Sequence, residues 1–410
     1  MLRKGLSRPY VALVLAVVAL IVSAAVIVPL TFGRSTLTVT NSTTVTSTTT
    51  VTYSFATTST VTPSTVTVTL GPPVPIDGLE TFSITLGGNP GPIGVDPEVQ
   101  TTNGPGTIYV VDRSSGNLSV VSDYAQKRLS TIQLPGVSYR GIAIDNSTHM
   151  VYLSVPGGIV EINGTTEQIV GELPETLGYL GTGYGPLAYD QSTKVIYSYI
   201  NSTLIGIDVQ TGSVVLRVPL EHYPDYPVSL AVDPRTDSVI VAGCADVSST
   251  IEFCNSVAYL FNGTTGGLIA NVTLGGEATP TVVTVNPTHH LFYVAGATLA
   301  AINDTNGKVV FKVNPQECGP FISMVYVSNT DQVAAVGPYY NYTFVYDGAT
   351  GALLDMYSLP NSPRYVAYVS LTNELLVTLP SQMVAFRNTA GPGYMDPAAV
   401  GSGQKYCNFP

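Results

Sequence analysis

Residues 189–218 read YDQSTKVIYSYINSTLIGIDVQTGSVVLRV and hold one complete unit of the repeat that decides the fold. A first apolar run ends in a turn at Asp190, and a second run follows at Val195-Ile196-Tyr197. A third run closes on Asp208, and a Gly-containing turn leads to a fourth, Val214-Val215-Leu216-Arg217-Val218. Short β-branched and aromatic runs bounded by Gly, Asn and Asp predict strands joined by tight turns. The stretch therefore predicts a four-stranded antiparallel sheet.

The turn that ends the first strand recurs seven times, at intervals of 42 to 53 residues. The seven copies, of which the last two are degenerate, are Val95-Asp96-Pro97, Ile144-Asp145-Asn146, Tyr189-Asp190-Gln191, Val232-Asp233-Pro234, Val285-Asn286-Pro287, Val327-Ser328-Asn329 and Val369-Ser370-Leu371. Four short strands in about 40–50 residues are typical of a β-propeller blade. The inner strands are continuous apolar runs, as expected where blades pack face to face.

The two ends of the repeat region predict how the ring closes. The seventh unit has only three strands and finishes at Met383-Val384-Ala385-Phe386. A strand-like segment, Phe82-Ser83-Ile84-Thr85-Leu86, precedes the first unit. Pairing the two supplies the missing strand and leaves no exposed sheet edge. The sequence thus predicts an all-β, seven-bladed β-propeller over residues 76–390, with a C-terminal tail at 391–410.

This repeat resembles the YVTN-type β-propeller family of bacterial and archaeal surface proteins. The local matches are Tyr109-Val110-Val111-Asp112, Tyr293-Val294-Ala295-Gly296 and the recurring Val-Asp-Pro turn, and the resemblance covers residues 80–388. Its motif chiefly encodes strand packing. The resemblance therefore implies the fold and says little about activity.

An apolar run at residues 11–32 predicts a transmembrane anchor or signal segment. At about 1.5 Å per residue it is long enough to cross a bilayer as a helix. The basic N-terminus, residues 1–10, carries Arg3, Lys4 and Arg8, whereas only Arg34 follows the run closely. The positive-inside rule then places the N-terminus in the cytoplasm and the rest of the chain outside.

Two processing routes compete with an uncleaved anchor. Small residues at Val22-Ser23-Ala24 offer a site for removal of a secretory signal, which would release a secreted protein. Arg3-Lys4-Gly5, followed by Leu6-Ser7 and the apolar run, resembles the prepilin-type signal of archaeal type IV filament and surface-binding proteins. That resemblance implies a cut after Gly5. All three routes export residues after 32.

Residues 35–75 predict a Ser/Thr/Pro-rich stalk. Thr, Ser and Val dominate from Ser35 to Leu70, and Gly71-Pro72-Pro73-Val74-Pro75 stiffens the junction. Such tracts beside an anchor are typical of extended, O-glycosylated stalks. Alternating Thr and Val also suits a strand, so a β-rich segment is the alternative.

Composition excludes some partners. The chain has 27 acidic and 16 basic residues, a net charge of -11, and this makes a nucleic-acid partner inconsistent with the sequence. Only 10% of residues are charged, against about a quarter in typical soluble proteins. We expect either an acidic exterior, where charge is unhelpful, or an ordinary secreted surface.

The exported region holds all four cysteines, for which oxidising conditions predict disulfides. Cys244 and Cys254 flank a short loop and are expected to pair, which leaves Cys318 with Cys407; the other pairings stay open. Asn-x-Ser/Thr sequons predict glycosylation at turns. They are Asn41, Asn117, Asn146, Asn163, Asn201, Asn262, Asn271, Asn303 and Asn341.

A search for chemistry finds no catalytic motif, and we predict no cofactor and no metal. His149, His289 and His290 fall in turns between first and second strands, with no accompanying carboxylate cluster expected. The loops that enter the first strands surround one mouth of the central channel and are rich in Tyr and Arg. These residues suit sugar faces and acidic groups. The predicted mouth residues are Tyr139, Arg140, Tyr179, Tyr184, Tyr223, Tyr226, Phe321, Arg364 and Tyr365.

These features together predict a membrane-tethered, extracellular propeller for ligand binding, adhesion or cell-envelope scaffolding. Its partners would be the membrane, through the N-terminal helix, and a cell-surface glycan or envelope protein. One alternative is a propeller enzyme, lactonase-like or quinone-dependent, which calls for acidic metal ligands or a cofactor pocket. Another is a subunit related to type IV filaments.

Overall fold

The fold was analysed in a computed structural model of the 410-residue chain. The structure describes residues 38–41, 48–52, 65–69, 80–86, 88–101, 104–135, 141–155, 158–174, 185–200, 202–220, 229–245, 255–274, 282–296, 298–313 and 320–388. The chain divides into two compact units, Met1–Val74 and Pro75–Pro410.

The first unit contains one antiparallel sheet of three strands, in the order β1-β2-β3. Its strands are β1 (Thr38–Asn41), β2 (Thr48–Thr52) and β3 (Thr65–Thr69). Val39 pairs with Val51, which in turn pairs with Val66. The stalk and its β-rich alternative both stay predictions. The rest of the predicted stalk lies outside the described residues.

The second unit begins with β4 (Glu80–Thr85) and continues through seven four-stranded sheets. Blade 1 contains β5 (Pro90–Thr101), β6 (Gly104–Asp112), β7 (Asn117–Ser122) and β8 (Lys127–Gln133). Blade 2 contains β9 (Ile142–Asp145), β10 (Met150–Val155), β11 (Gly158–Asn163) and β12 (Gln168–Pro174). Blade 3 contains β13 (Leu187–Asp190), β14 (Val195–Ile200), β15 (Thr203–Asp208) and β16 (Val214–Pro219).

The remaining blades continue this order. Blade 4 contains β17 (Ser229–Asp233), β18 (Ser238–Ala245), β19 (Asn255–Asn262) and β20 (Leu268–Thr273). Blade 5 contains β21 (Val282–Asn286), β22 (Leu291–Ala295), β23 (Leu299–Asn303) and β24 (Val309–Val313). Blade 6 contains β25 (Ser323–Val327), β26 (Gln332–Val336), β27 (Tyr342–Asp347) and β28 (Leu353–Ser358). Blade 7 contains β29 (Tyr365–Val369), β30 (Glu374–Leu379), β31 (Gln382–Arg387) and β4.

The first strands of the seven blades contact one another in a closed cycle and so lie innermost, around the ring axis. Because neighbouring strands are antiparallel, their connections alternate between the two faces of the disc. We call the face that carries the turns from first to second strand the turn face. The opposite face, where the chain enters each first strand, is the mouth face.

Burial on both faces explains why apolar and polar residues hardly alternate along the inner strands. The second strands of blades 3 and 7, β14 and β30, are buried at every position. In the fourth strand β16, exposed positions alternate with half-buried ones and the buried Leu216, because only the inner strands of each blade are covered on both sides. Apolar side chains from adjacent blades form the core between sheets, as Leu204 and Val241 do between blades 3 and 4.

The prediction of seven blades closed by an N-terminal strand is confirmed. β4 pairs antiparallel with β31, and Met383 lies opposite Ile84. The pairing has a register irregularity between Ala385 and Phe386. A matching irregularity occurs between the third and fourth strands of the other six blades. β4 therefore takes the place of a normal fourth strand, although it is distant in sequence from the rest of its blade.

In the two degenerate repeats, the first strand ends one residue earlier than the turn motif predicts. Val327 pairs with Gln332, as Asp233 pairs with Ser238, so Val327 and not Ser328 ends the first strand. In blade 7, Val369 pairs with Glu374 in the same way. The buried polar group has moved from the end of the first strand to the start of the second, at Gln332 and Glu374.

Among the described residues, no helix has the length and apolar character needed to cross a bilayer. Residues 11–32, on which the anchor prediction rests, lie outside the described part, as does the predicted tail at 391–410.

Candidate functional site

The turn face carries a polar contact that is repeated in all seven blades. In six blades the turn from the first to the second strand ends in a residue of left-handed backbone conformation, and in blade 1 the third residue of β6 has this conformation; φ lies between 53° and 87°. The carbonyl of this residue accepts an N–H from the residue that follows the third strand, at 2.7–3.2 Å. The left-handed residues are Gly106, His149, Lys194, Asp237, His290, Asp331 and Asn373. Their N–H donors are Asp123, Gly164, Val209, Gly263, Asp304, Gly348 and Asn388.

In blades 1 to 5 the first strand has an Asp or Asn at or near its end, which caps its own turn and faces the next blade, whereas blades 6 and 7 have Val327 and Val369 there. One side-chain oxygen accepts an N–H from its own turn, as Asp233 Oδ1 does from Arg235 at 2.8 Å. The other atom faces the left-handed residue of the following blade. Asp96 Oδ2 lies 2.9 Å from His149 Nδ1, and Lys194 Nζ lies 3.5 Å from Asp145 Oδ2. These contacts join neighbouring blades close to the ring axis.

Between blades 4 and 5, this arrangement brings three titratable side chains together: Asp233, His290 and Asp304. His290 Nδ1 lies 3.4 Å from Asp304 Oδ2 and 4.0 Å from Asp233 Oδ2. Both carboxylates are fully buried, whereas the His290 side chain is 46% exposed. We call these three residues the Asp-His-Asp cluster.

The cluster leaves buried oxygens without hydrogen-bond partners. Asp233 Oδ2 and Asp304 Oδ1 have none, and Thr236 Oγ1 donates to Asp304 Oδ2 at 3.1 Å. Burial and the proximity of Asp233 raise the pKa of Asp304 to about 6, and Thr236 and His290 oppose this shift. Unpartnered charged oxygens in a dry site are costly unless a proton or a cation is shared between them.

Size complementarity between blades explains why a carboxylate fits at position 304. In three blades the residue after the third strand is glycine, because a Cβ there would approach a tyrosine hydroxyl of the preceding blade at 2.4–2.9 Å. These pairs are Gly164 with Tyr109, Gly263 with Tyr197 and Gly348 with Tyr293. Ile240 of blade 4 has the register of Tyr197 of blade 3. Ile240 is shorter than tyrosine and has no hydroxyl, which is consistent with a carboxylate at position 304 of blade 5.

A second buried carboxyl pair lies between blades 7 and 1. Asp123 and Glu374 are 3% and 2% exposed, and one oxygen of each lacks a hydrogen-bond partner. Burial and the negative charge of Glu374 raise the pKa of Asp123 to about 6, against a hydrogen bond from Thr372. In the described part of the chain, no histidine forms an ion pair with Asp123 or Glu374, and the left-handed residue of blade 1 is Gly106.

The expectation that no carboxylates accompany the turn histidines is wrong. His149 contacts Asp96, His290 faces two aspartates, and His289 Nε2 lies 3.3 Å from Asp331 Oδ2. Sequence reasoning placed the histidines in turns but missed their partners, which come from the adjacent blades and, for Asp304, from the residue that follows a third strand. These partners could have been found from the sequence, because turns of adjacent blades lie side by side around the ring.

The structure describes three of the nine predicted mouth residues. Arg364 is exposed and Tyr365, the first residue of β29, is half-buried, both at the entry to an innermost strand. Phe321 is fully buried against Phe344 and Tyr346, so it is a core residue and offers no surface to a ligand. Tyr139, Arg140, Tyr179, Tyr184, Tyr223 and Tyr226 lie outside the described residues.

An aromatic residue that the sequence reasoning missed also lies on the mouth face. Tyr339, in the connection between β26 and β27, is 65% exposed. The same connection contains the exposed sequon Asn341, whose Oδ1 lies 3.4 Å from Ser362 Oγ in the segment that leads to Arg364. The described part of the mouth face therefore includes Arg364, the half-buried Tyr365 and the exposed Tyr339.

The disulfide prediction remains a prediction, because all four cysteine side chains lie outside the described residues. Cys244 is in β18, whereas Cys254, Cys318 and Cys407 lie outside the described residues. Among the sequons, Asn271 and Asn341 are exposed, and the others with described side chains are half-buried. The half-buried set is Asn117, Asn146, Asn163, Asn262 and Asn303; Asn41 and Asn201 are outside the described side chains.

A comparison with protein-family models and with curated proteins found no match for this chain. The fold and the polar sites must therefore be interpreted from their own geometry.

Proposed function

We propose that this protein is a tethered extracellular propeller whose mouth face binds a ligand on the cell surface. The observation that carries the proposal is the placement of Arg364 and Tyr365 at the start of the innermost strand of blade 7, with Tyr339 exposed on the same face. A closed seven-bladed ring is a rigid platform on which variable connections form a binding surface.

The chemistry of these residues favours a glycan or an acidic partner in the cell envelope. Aromatic rings pack on the apolar faces of sugars, and arginine forms paired hydrogen bonds with carboxylates. The six further residues predicted at the mouth are also tyrosines and an arginine, and they would offer the same contacts. Binding, adhesion or scaffolding accounts for this surface without a catalytic group.

The tether is proposed from the sequence. The apolar run at 11–32, the basic residues before it and the Thr-rich segment after it favour an anchor with the propeller outside the cell. The recurring Val-Asp-Pro turn supports a relation to YVTN-type surface propellers of archaeal character.

Ligand binding is tested by a glycan array probed with the purified full-length protein in detergent. We expect Arg364→Ala and Tyr339→Ala to reduce binding by about tenfold, since each removes a direct contact worth roughly 1–2 kcal/mol. The matched controls are Tyr124→Ala, an aromatic that is 71% exposed on the turn face, and Arg128→Ala on the outer strand β8. Equal binding by all four variants would contradict the mouth-face site.

The tether is tested separately by cell fractionation and by sequencing of the mature N-terminus. We expect the protein in the membrane fraction, with the propeller accessible to protease added outside intact cells. A mature chain that begins at Leu6 would favour the filament-related processing route, and one that begins near Ala24 would indicate secretion. A protease-protected, soluble protein would contradict export.

A further inference from the structure

We propose that the Asp-His-Asp cluster is a binding site for a divalent first-row transition cation, of which zinc is the representative, and that the cation joins blades 4 and 5. Asp233 belongs to blade 4, whereas His290 and Asp304 belong to blade 5. The site lies on the turn face and is independent of the proposed ligand site at the mouth.

Donor geometry is the first support. One donor atom from each residue lies within 4.8 Å of the other two. Two donors that bind the same Zn²⁺ at about 2.0–2.2 Å in tetrahedral geometry are roughly 3.2–3.6 Å apart. The 3.4 Å separation of His290 and Asp304 meets this requirement, and the 4.0 Å separation of His290 and Asp233 needs closure by about 0.5 Å.

The orphaned oxygen of Asp233 is the second, independent support. Asp233 is fully buried, and its Oδ2 faces His290 without a hydrogen-bond donor. Its other oxygen is occupied by the N–H of Arg235. In blade 1, by contrast, the matching Oδ2 of Asp96 has a partner in His149 Nδ1 at 2.9 Å. The contact between the aspartate and the histidine of the next blade is thus a hydrogen bond between blades 1 and 2. Between blades 4 and 5, where Asp304 is also present, the matching aspartate oxygen has no hydrogen bond.

The third support is the set of outer contacts that hold the ligands in place. Thr236 Oγ1 donates to Asp304 Oδ2, and Asp304 N–H donates to the carbonyl of His290. Metal ligands in proteins are oriented by such hydrogen bonds. The exposed part of His290 leaves a side open from which a cation and a coordinating water enter.

The donor types select the class of cation. Imidazole with two carboxylates suits Zn²⁺ and its first-row neighbours. Ca²⁺ takes six to eight oxygen ligands and Mg²⁺ retains most of its water, so neither favours a compact site with one imidazole. The competing explanation is a proton shared between Asp233 and Asp304 without any metal.

The experiment is a Zn²⁺ titration of chelator-treated full-length protein, in detergent, by calorimetry. We expect one equivalent of Zn²⁺ to bind per chain and to raise the melting temperature. Asp304→Asn and His290→Asn should weaken binding about a hundredfold or more, since loss of an outer partner alone typically costs 10–100-fold. Asn is compatible with the left-handed conformation at 290, because Asn373 has it at the matching position of blade 7.

The matched control is His149→Asn, which changes a histidine at the equivalent turn position beside a single carboxylate. This variant should bind Zn²⁺ as the wild type does. The proposal is overturned if no equivalent of Zn²⁺ binds, if the Asp304 and His290 variants bind as tightly as wild type, or if His149→Asn loses binding to the same degree. Replacement of Zn²⁺ by Co²⁺ gives a readout apart from stability: an absorption band of imidazole-bound Co²⁺ is expected in wild type and absent in Asp304→Asn.

Discussion

The two faces of the disc are built in different ways. On the turn face, six of the seven connections between first and second strands have four residues, as at 146–149 and 234–237. Side-chain oxygens cap these turns, and polar contacts cross to the next blade. On the mouth face, the connections into the first strands differ in length: nine residues precede β17 and six precede β29. One face has a fixed pattern, and the other varies from blade to blade.

This difference indicates a division of labour. The turn face stabilises the ring, because its buried polar groups must be paired to offset their desolvation. The mouth face has freedom to vary, since its residues contribute less to the core. A substitution should therefore affect stability strongly on the turn face or at the ring closure, and binding on the mouth face.

The largest effect is expected at the closing strand, on which both faces depend. Ile84→Asp buries an unpaired charge where Ile84 packs with Met383 and Ala385. We expect a loss of about 4 kcal/mol or more in the free energy of unfolding, measured by urea denaturation. Ser83→Asp, on the exposed side of the same strand, should change it by less than about 0.5 kcal/mol. Equal effects of the two substitutions would mean that β4 is not part of the core.

A pH-dependent effect is expected from the carboxyl pair of blades 7 and 1. Burial and the charge of Glu374 raise the pKa of Asp123 to about 6, so the folded state holds its proton more tightly than the unfolded chain. This stabilisation is present below pH 4 and is lost as the pH rises from about 4 to 6. Asp123→Asn should therefore leave stability at pH 4 unchanged and raise it at pH 8, by at most about 3 kcal/mol.

The measurement is the thermal midpoint of both proteins from pH 4 to pH 8. Asp304, whose pKa is also raised to about 6, acts in the same sense in both proteins, so only the difference between the two profiles reports on Asp123. Asp145 acts in the opposite sense at lower pH. Burial opposes ionisation of Asp145, but hydrogen bonds from Ser147, Tyr189 and Thr148 outweigh it and lower the pKa to about 2. That contribution is lost only as the pH falls from about 4 to 2. Parallel pH profiles for wild type and Asp123→Asn would contradict the assignment to Asp123.

A smaller effect is expected from the size match between adjacent blades. Gly263→Ala places a Cβ 2.6 Å from the Tyr197 hydroxyl and 2.4 Å from Asp237 Oδ1. The overpacking should cost about 1–3 kcal/mol, and Tyr197→Phe in the same chain should restore part of it. Gly267→Ala is the control, because its nearest contact would be 3.3 Å, from Thr265 Oγ1. Additive effects of Gly263→Ala and Tyr197→Phe would show that the two positions are not coupled.

The smallest effect on stability is expected on the mouth face. Arg364→Ala removes an exposed side chain, so the free energy of unfolding should change by less than about 0.5 kcal/mol. Thermal denaturation without ligand checks this value. A loss above about 1 kcal/mol would show that Arg364 has a structural role and would blur the distinction between the faces.

Much of the fold was predictable from the sequence, because the repeat records it directly. Each blade repeats the same strand and turn chemistry, and the missing strand of the seventh copy points to Phe82–Leu86. The one-residue shift at Val327 and Val369 was not predictable from the turn motif. There the buried polar group comes from the second strand, at Gln332 and Glu374, and only the strand register shows it.

The candidate site was much less predictable. His290 was located in its turn, but Asp233 is 57 positions earlier and Asp304 follows a different strand. Only ring geometry brings them together. Phe321 was predicted at the mouth because it precedes a first strand, whereas packing against Phe344 buries it. Position along the repeat predicts the face of the disc, and it does not predict the direction of the side chain.

Ring closure is the claim on which both faces depend, and amide hydrogen exchange tests it most directly. In the full-length protein, amides of β4 that bond to β31 should exchange as slowly as those of β31 itself, because both belong to one cooperative sheet. Exchange of β4 within seconds, beside a protected β31, would contradict the closed ring.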